Sequence, residues 1–203
     1  MILEEIKKAY GGRKGQNRLP KKRDSAVLVP LVEHDGHLCL LYEVRSLKLR
    51  HQPGEVCFPG GRMEEGEDAL LTSVRETCEE LYVNKEDIEI IGEMDAFQMG
   101  NGQIIWPVVG LLHNEKGTYS KDEVDHLFYV PIQWLMANTP HRYKLVTTTT
   151  PEENFPVELL PGGLDYTWPK LEREVYLYMF SHEVIWGVTA EITYRFIQTI
   201  MPY

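Results

Sequence analysis

The segment FPGGRMEEGEDALLTSVRETCEELYV, residues 58–83, holds the densest chemistry in the chain. Its second half reads as a helix over 67–81, because Leu70, Val74, Thr77/Cys78 and Leu81 recur at helical spacing and form one apolar stripe. Asp68 suits the N-cap, where a short carboxylate accepts a hydrogen bond from a free amide of the first turn. Arg75, Glu76, Glu79 and Glu80 lie off the stripe. Residues at i, i+3 and i+4 are neighbours on a helix, and like charges there repel by about 0.2–0.5 kcal/mol per pair. A solvated acidic face explains three such glutamates taken alone. A bound cation explains them better once their neighbours are counted, since hard divalent ions such as Mg²⁺ take oxygen ligands and keep several waters.

Upstream, SAVLVPLVEHDGHLCLLYEVR (25–45) reads as two strands around Asp35-Gly36, a strong hairpin signal. The same turn accounts for His34 and His37 without a metal. Residues 46–66 read as a loop broken by a short strand near Glu55 to Phe58, and 2–10 as an amphipathic helix. GGRKGQNRLPKKR (11–23) is a basic connector that lacks the GK[ST] ending of a phosphate loop. Downstream, 88–99 and 103–114 are strand-like around a Gly-Asn-Gly turn, and 126–132 gives another strand. A short helix over 132–138, an irregular stretch over 147–169, a strand at 174–180 and a closing helix at 189–200 complete the chain. Strands and helices are mixed, so the fold class is α/β or α+β. The pattern predicts one domain over 1–203, with residues 1–24 as N-terminal helix and basic connector.

The chain has 203 residues and a net charge of −10, with no dense Lys/Arg block in its body. That excludes a general nucleic-acid or membrane-surface binder. No window approaches the ~20 apolar residues of a membrane span. Cys39, Cys57 and Cys78 are odd in number and sit in largely apolar segments, which predicts free thiols and a reducing, cytoplasmic setting. Composition leaves a homo-oligomer open.

Extended backwards, the acidic stretch has a fixed spacing: Gly61, five residues, Glu67, seven residues, Arg75-Glu76, two residues, Glu79-Glu80. At average residue usage, six such positions coincide by chance at on the order of 10⁻⁵ per chain. The pattern resembles the Nudix box, the signature of hydrolases that cleave nucleoside diphosphates linked to another moiety. The resemblance implies a Nudix fold, a mixed β-sheet sandwiched between helices, and an enzyme that works with Mg²⁺ or Mn²⁺. It implies Glu76, Glu79 and Glu80 as metal ligands, joined by a backbone carbonyl near Gly60. Arg75 is then an orienting partner and Glu67 a structural one. For the catalytic base it offers a glutamate of the box, such as Glu76 or Glu79, or one from a downstream loop. Glu123 is the loop candidate, with Asp122 and Asp125 as competitors. Two positions depart from the pattern: Thr77 stands where an aliphatic residue is usual, and Tyr82 where glycine is. Because tyrosine lacks glycine's freedom, Asn84 is expected to take the left-handed position at the helix exit.

LYEVRSLKLRHQPGEVCFPGG (41–61) is similar to a further motif of coenzyme A diphosphatases, with Ser46, Arg50, Gly54 and Phe58 to Gly61 in place. Glu43 and Arg45 stand where that motif has threonines. IWGVTA (185–190) is similar to a second run of the same subgroup. Trp186 is expected in the core. Arg45, Lys48 and Arg50 supply three positive charges in one loop before the metal site, suited with Gly61 to binding a CoA-like nucleotide with an extra phosphate. The resemblance thus implies hydrolysis of coenzyme A to 3′,5′-ADP and 4′-phosphopantetheine. Its rivals are a Nudix pyrophosphatase for ADP-ribose or NADH-type dinucleotides, and a catalytically silent nucleotide-binding module.

Overall fold

The computed structural model describes residues 2–13, 24–100 and 102–201. Most of the basic connector, and Asn101 of the Gly-Asn-Gly turn, lie outside them. Helix α1 (Ile2–Tyr10) precedes a hairpin of β1 (Ser25–His34) and β2 (His37–Arg45), turned through Asp35 and Gly36, both at positive φ. Two short strands follow, β3 (Val56–Cys57) and β4 (Gly60–Arg62), then helix α2 (Ala69–Leu81). Strands β5 (Ile88–Glu93), β6 (Phe97–Gln98), β7 (Ile104–Leu112) and β8 (Val124–Pro131) lead to the short α3 (Ile132–Ala137). The chain closes with β9 (His141–Thr148), β10 (Lys170–Phe180), β11 (Glu183–Trp186) and α4 (Gly187–Ile200).

β1 is the hub of a mixed sheet. It runs parallel to β7, with Ala26 opposite Trp106 and Leu31 opposite Leu111, and antiparallel to β2 at its far end. β1, β2 and β7 read as near-continuous apolar runs because both of their faces are covered. Alternate residues prove it: Val29, Leu31, Leu40 and Tyr42 pack toward α1 and α4, while Ala26, Leu28, Cys39 and Leu41 pack in the core that α2 covers. The mixed sheet between helices expected from the sequence is the observed architecture.

One local departure builds the site. β1 and β2 pair only over Leu31–His34 and His37–Leu40, then fork. β4 pairs with the start of β1, Ala26 opposite Gly61 and Val27 opposite Gly60, while β3 pairs with the end of β2, Glu43 opposite Cys57. The Phe58-Pro59 link fills the fork, and Leu28 N–H donates to the Pro59 carbonyl at 2.8 Å. Gly60, at φ 156°, lies so close to β1 that a Cβ would overlap the Ala26 carbonyl. So the stretch read as loop contains two strands, not one.

A second, three-stranded antiparallel sheet, β11-β10-β9, was not legible as such, although the strand at 174–180 was. α4 packs on its inner part, and His126 of β8 bridges to Glu183 of β11 at 3.0 Å. Trp186, expected in the core, is 40% exposed at the start of α4. All three cysteines are free. Among the described residues no helix is long and apolar enough to cross a membrane.

Candidate active site

Helix α2 begins where the sequence places it. The Asp68 carboxylate accepts from Leu71 N–H at 2.8 Å, a cap worth about 1 kcal/mol. Its exit differs from expectation: Tyr82 itself is left-handed, at φ 54° and ψ 35°, while Asn84 is extended. The reason is tertiary. Ser120 N–H donates to the Glu80 carbonyl at 2.7 Å and Thr118 Oγ1 to the Leu81 carbonyl at 2.9 Å. These bonds fix the last turn and offset a left-handed tyrosine, which costs about 1–2 kcal/mol. The Tyr82 ring, 64% exposed, meets no obstacle outside. Thr77 is tolerated in its buried position because its hydroxyl donates to the Ser73 carbonyl at 2.7 Å.

The three glutamates do not share one face. Glu76 and Glu80, one turn apart, face inward; Glu79 lies outside and pairs with Arg75 at 3.3 Å. A Cβ on Gly61 would overlap the Glu76 carboxylate, which gives the first glycine of the box a steric reason. Glu80, 4% exposed, accepts from Gly60 N–H at 2.8 Å. The backbone at Gly60 therefore meets this site first through its amide, where the resemblance implied a carbonyl nearby.

Arg75 is the brace. Its Nε and Nη2 grip both oxygens of Glu67, at 2.7 and 2.9 Å, and Nη2 also reaches the Arg62 carbonyl at 3.2 Å. Nη1 sits 3.0 Å from Glu76 and 3.3 Å from Glu79. Glu67 further accepts from Thr72 Oγ1 and from Glu64 N–H. The Arg75 fork pulls the Glu67 carboxyl down to about 2, an ion pair that ties the loop before α2 to its second turn.

Two further carboxylates join Glu76 and Glu80. Glu123 comes from the loop before β8, held by Ser46 N–H donating to its carbonyl at 2.8 Å. Glu43 comes from β2 and is 1% exposed. Burial raises the Glu80 carboxyl well above the ordinary range, and the charges of Glu43, Glu76 and Glu123 add to it. Burial likewise pushes Glu43 up to about 7 against the pull of Cys57 and Arg45, and raises Glu76 against the pull of Arg75. Sequence reasoning noted Glu43 only as a mismatch. The signal available was a charge at an inward position of an apolar strand, two residues beyond Leu41.

The predicted anion anchors differ in exposure and partners. Arg45 is half-buried with its Nε unpartnered; Lys48 is exposed, 3.8 Å from Asp122; Arg50 is exposed. A cavity lined by Ile2, Leu3, Glu33, Leu38 and Pro131 lies at the β1–β2 turn, the opposite end of β2 from Glu43. Carboxylate chemistry, not concavity, locates the site.

These donors suit a divalent cation in kind: oxygen ligands, clustered like charges and a buried carboxylate oxygen, Glu43 Oε2, with no partner. They are not drawn in around one point, for among the described residues no three Asp, Glu, His or Cys side chains converge closely enough to hold an ion.

The NUDIX domain family matches residues 22–148. Nudix hydrolase 3 of Caenorhabditis elegans is 32% identical over 186 residues, covering 87% of this chain and 73% of that protein. The mouse protein named peroxisomal coenzyme A diphosphatase NUDT7 is 36% identical over 124 residues, 60% of this chain and 52% of its own length. Peroxisomal coenzyme A diphosphatase ndx-8 of C. elegans is 38% identical over 131 residues, 62% and 56%. The chain thus spans about half the length of these two coenzyme A diphosphatases. Among solved structures, a MutT/nudix family protein from Enterococcus faecalis shares the fold with a TM-score of 0.50 at 15% identity, over 90% of this chain and 63% of that one. With its box residues gathered on β4, α2 and the loop between them, and this match over most of the chain, the protein belongs to the Nudix hydrolase family.

Proposed function

We propose that the chain, one domain over 1–203, hydrolyses the pyrophosphate of coenzyme A or its derivatives, giving 3′,5′-ADP and 4′-phosphopantetheine with Mg²⁺ or Mn²⁺. The observation that carries the reading is the inward pair Glu76 and Glu80, set against Gly60 and Gly61 and braced by Arg75. Glu76 and Glu80 would hold the cation from within, and Glu79, the third box glutamate, would reach it from the outer side through its pairing with Arg75. A divalent ion there supplies charge neutralisation for the pyrophosphate oxygens. Arg75 positions Glu76 and Glu79 without touching substrate. Glu123, anchored through its backbone to Ser46, takes the proton from the attacking water at its carboxylate. Arg45, Lys48 and Arg50 neutralise the phosphates beyond the bond that breaks.

The substrate class is supported by the two relatives named coenzyme A diphosphatases and by the motif over 41–61. Three free thiols fit a reducing compartment, cytoplasmic in our reading, although both relatives are named peroxisomal. A mass-resolved screen of coenzyme A, ADP-ribose and NADH with Mg²⁺ and with Mn²⁺ tests this. Coenzyme A should turn over at least tenfold faster in kcat/KM than the others. Faster ADP-ribose cleavage would refute the coenzyme A assignment and keep the pyrophosphatase.

A further inference from the structure

Glu123, the loop acid proposed as base, is exposed, yet its charge reaches Glu43, Glu76 and Glu80. Backbone bonds set its place. Its carbonyl accepts from Ser46 N–H at 2.8 Å, its own N–H donates to the Ser120 carbonyl at 3.1 Å, and Val124 N–H reaches that same carbonyl at 2.8 Å. Just beyond, the pairing of β8 with β2 slips by one residue. Val124 lies opposite Arg45 and His126 opposite Val44, so Asp125 is an extra residue on β8 with no counterpart on β2. A bulge of this kind redirects the side chains beside it, and moving it by one residue turns them to the other face. Whatever holds Asp125 therefore also aims Glu123.

His126 holds it, and the second sheet holds His126. The Nδ1 of His126 lies 2.8 Å from Asp125 Oδ2, and its Nε2 3.0 Å from Glu183 Oε1. With a carboxylate on each side the ring donates from both nitrogens, and both bonds are charge-assisted. Glu183 is fixed in turn. It opens β11 opposite Phe180 of β10, its side chain is 13% exposed, and His182 Nε2 stands 3.0 Å from the same Oε1.

We propose that Glu183, acting through His126, is a positioning residue for Glu123: the second sheet locks the bulge at Asp125 and so holds the loop acid at the site. The proposal rests on the reading of Glu123 as base. It gives β11 a task in the reaction.

The test is a double-mutant cycle on kcat. It is run with Mg²⁺ on whichever of coenzyme A, ADP-ribose and NADH the wild type cleaves fastest, at a temperature where circular dichroism shows the variants folded. Glu183→Ala and His126→Ala should each lower kcat about tenfold or more and change KM less than about twofold, because a misplaced base slows the chemical step without removing a substrate contact. Glu183→Gln, which keeps an acceptor for His126 but not the charge, should recover part of the loss, and it replaces the alanine variant in the cycle if that one does not fold. In a Glu123→Gln background Glu183→Ala should cost less than about twofold, since no base is left to aim. If it costs the same factor there as in wild type, Glu183 acts on the fold at large and the proposal is overturned. An unchanged kcat for Glu183→Ala overturns it too, while a slow Glu123→Gln keeps the base reading. If Glu123→Gln is itself as fast as wild type, the base reading falls and the proposal with it.

Discussion

The cradle around α2 and the outer half of the β9–β10 ribbon are opposites. In the cradle, Arg75 alone contacts three carboxylates and a carbonyl, and the carboxylates of Glu43 and Glu80 are buried. Along the ribbon every residue of His141–Thr148 is exposed, as are those from Lys170 to Glu174, although Tyr143, Leu145, Val146 and Leu171 are apolar. Backbone pairing, Lys170 opposite Thr148 through Leu177 opposite His141, and one exposed ion pair, Lys144 to Glu172 at 3.2 Å, keep the outer ribbon in register. The cradle sacrifices stability for chemistry, since buried like charges oppose folding. The ribbon has little at stake in either.

The sharpest way to break this contrast is by activity. Glu76→Gln should lower kcat by at least about a hundredfold with the fold intact, because it removes one of the two inward carboxylates proposed to hold the cation. Leu145→Ser and Leu171→Ser should leave kcat within about twofold and stability within about 0.5 kcal/mol. Steady-state kinetics and urea unfolding decide it; equal losses in both regions would erase the distinction.

Arg75→Ala comes next. It strands Glu67, Glu76 and Glu79, and should destabilise the protein by about 2–4 kcal/mol in urea unfolding. Arg75→Lys, which keeps the charge but loses the fork to Glu67, should recover less than half of that.

The third effect depends on pH. Folding raises Glu43 from 4.5 to about 7, so between those values the folded chain holds a proton that the unfolded chain has released. Stability in EDTA should therefore fall as pH rises from about 5 to about 8, and Mg²⁺ should restore it most at the upper end. Burial lowers His126, but its bonds to Asp125 and Glu183 outweigh that and raise it, so it titrates in the same direction. Comparison with Glu43→Gln isolates the site. Glu67 has the opposite sign: held at about 2 in the fold, it stabilises above about 4.5, and that contribution is lost as pH falls toward 2. Melting curves that rise between pH 5 and 8 in EDTA would contradict the buried-acid reading.

The smallest effect is at the helix exit. Tyr82→Gly should stabilise by about 0.5–1 kcal/mol and leave kcat unchanged, because the left-handed turn is relieved and no site atom moves. A loss of stability would mean that the ring, not the backbone, holds that turn.

The helix and its Asp68 cap were legible because each depends on residues within a few positions of one another, while the orienting role of Arg75 came from the resemblance of the box. Tyr82 was misread because its conformation is set by Ser120 and Thr118, some forty residues downstream on the chain. β9 was missed because its side chains are exposed on both faces, which leaves no alternation to detect. Glu43 looked like a mismatch on a linear motif. Only the fork of β1 and β2 and the inward register of β2 turn it toward α2.

That fork also dictates where the chain can tolerate changes in length. Between Val56 and Arg62 the backbone serves two neighbours at once, pairing with β2 on entry and β1 on exit. One residue inserted there would exchange inward for outward positions along β4 and take Gly61 away from Glu76. The exposed loop that joins β9 to β10 carries no such double obligation, and new segments can be added there without altering the catalytic frame.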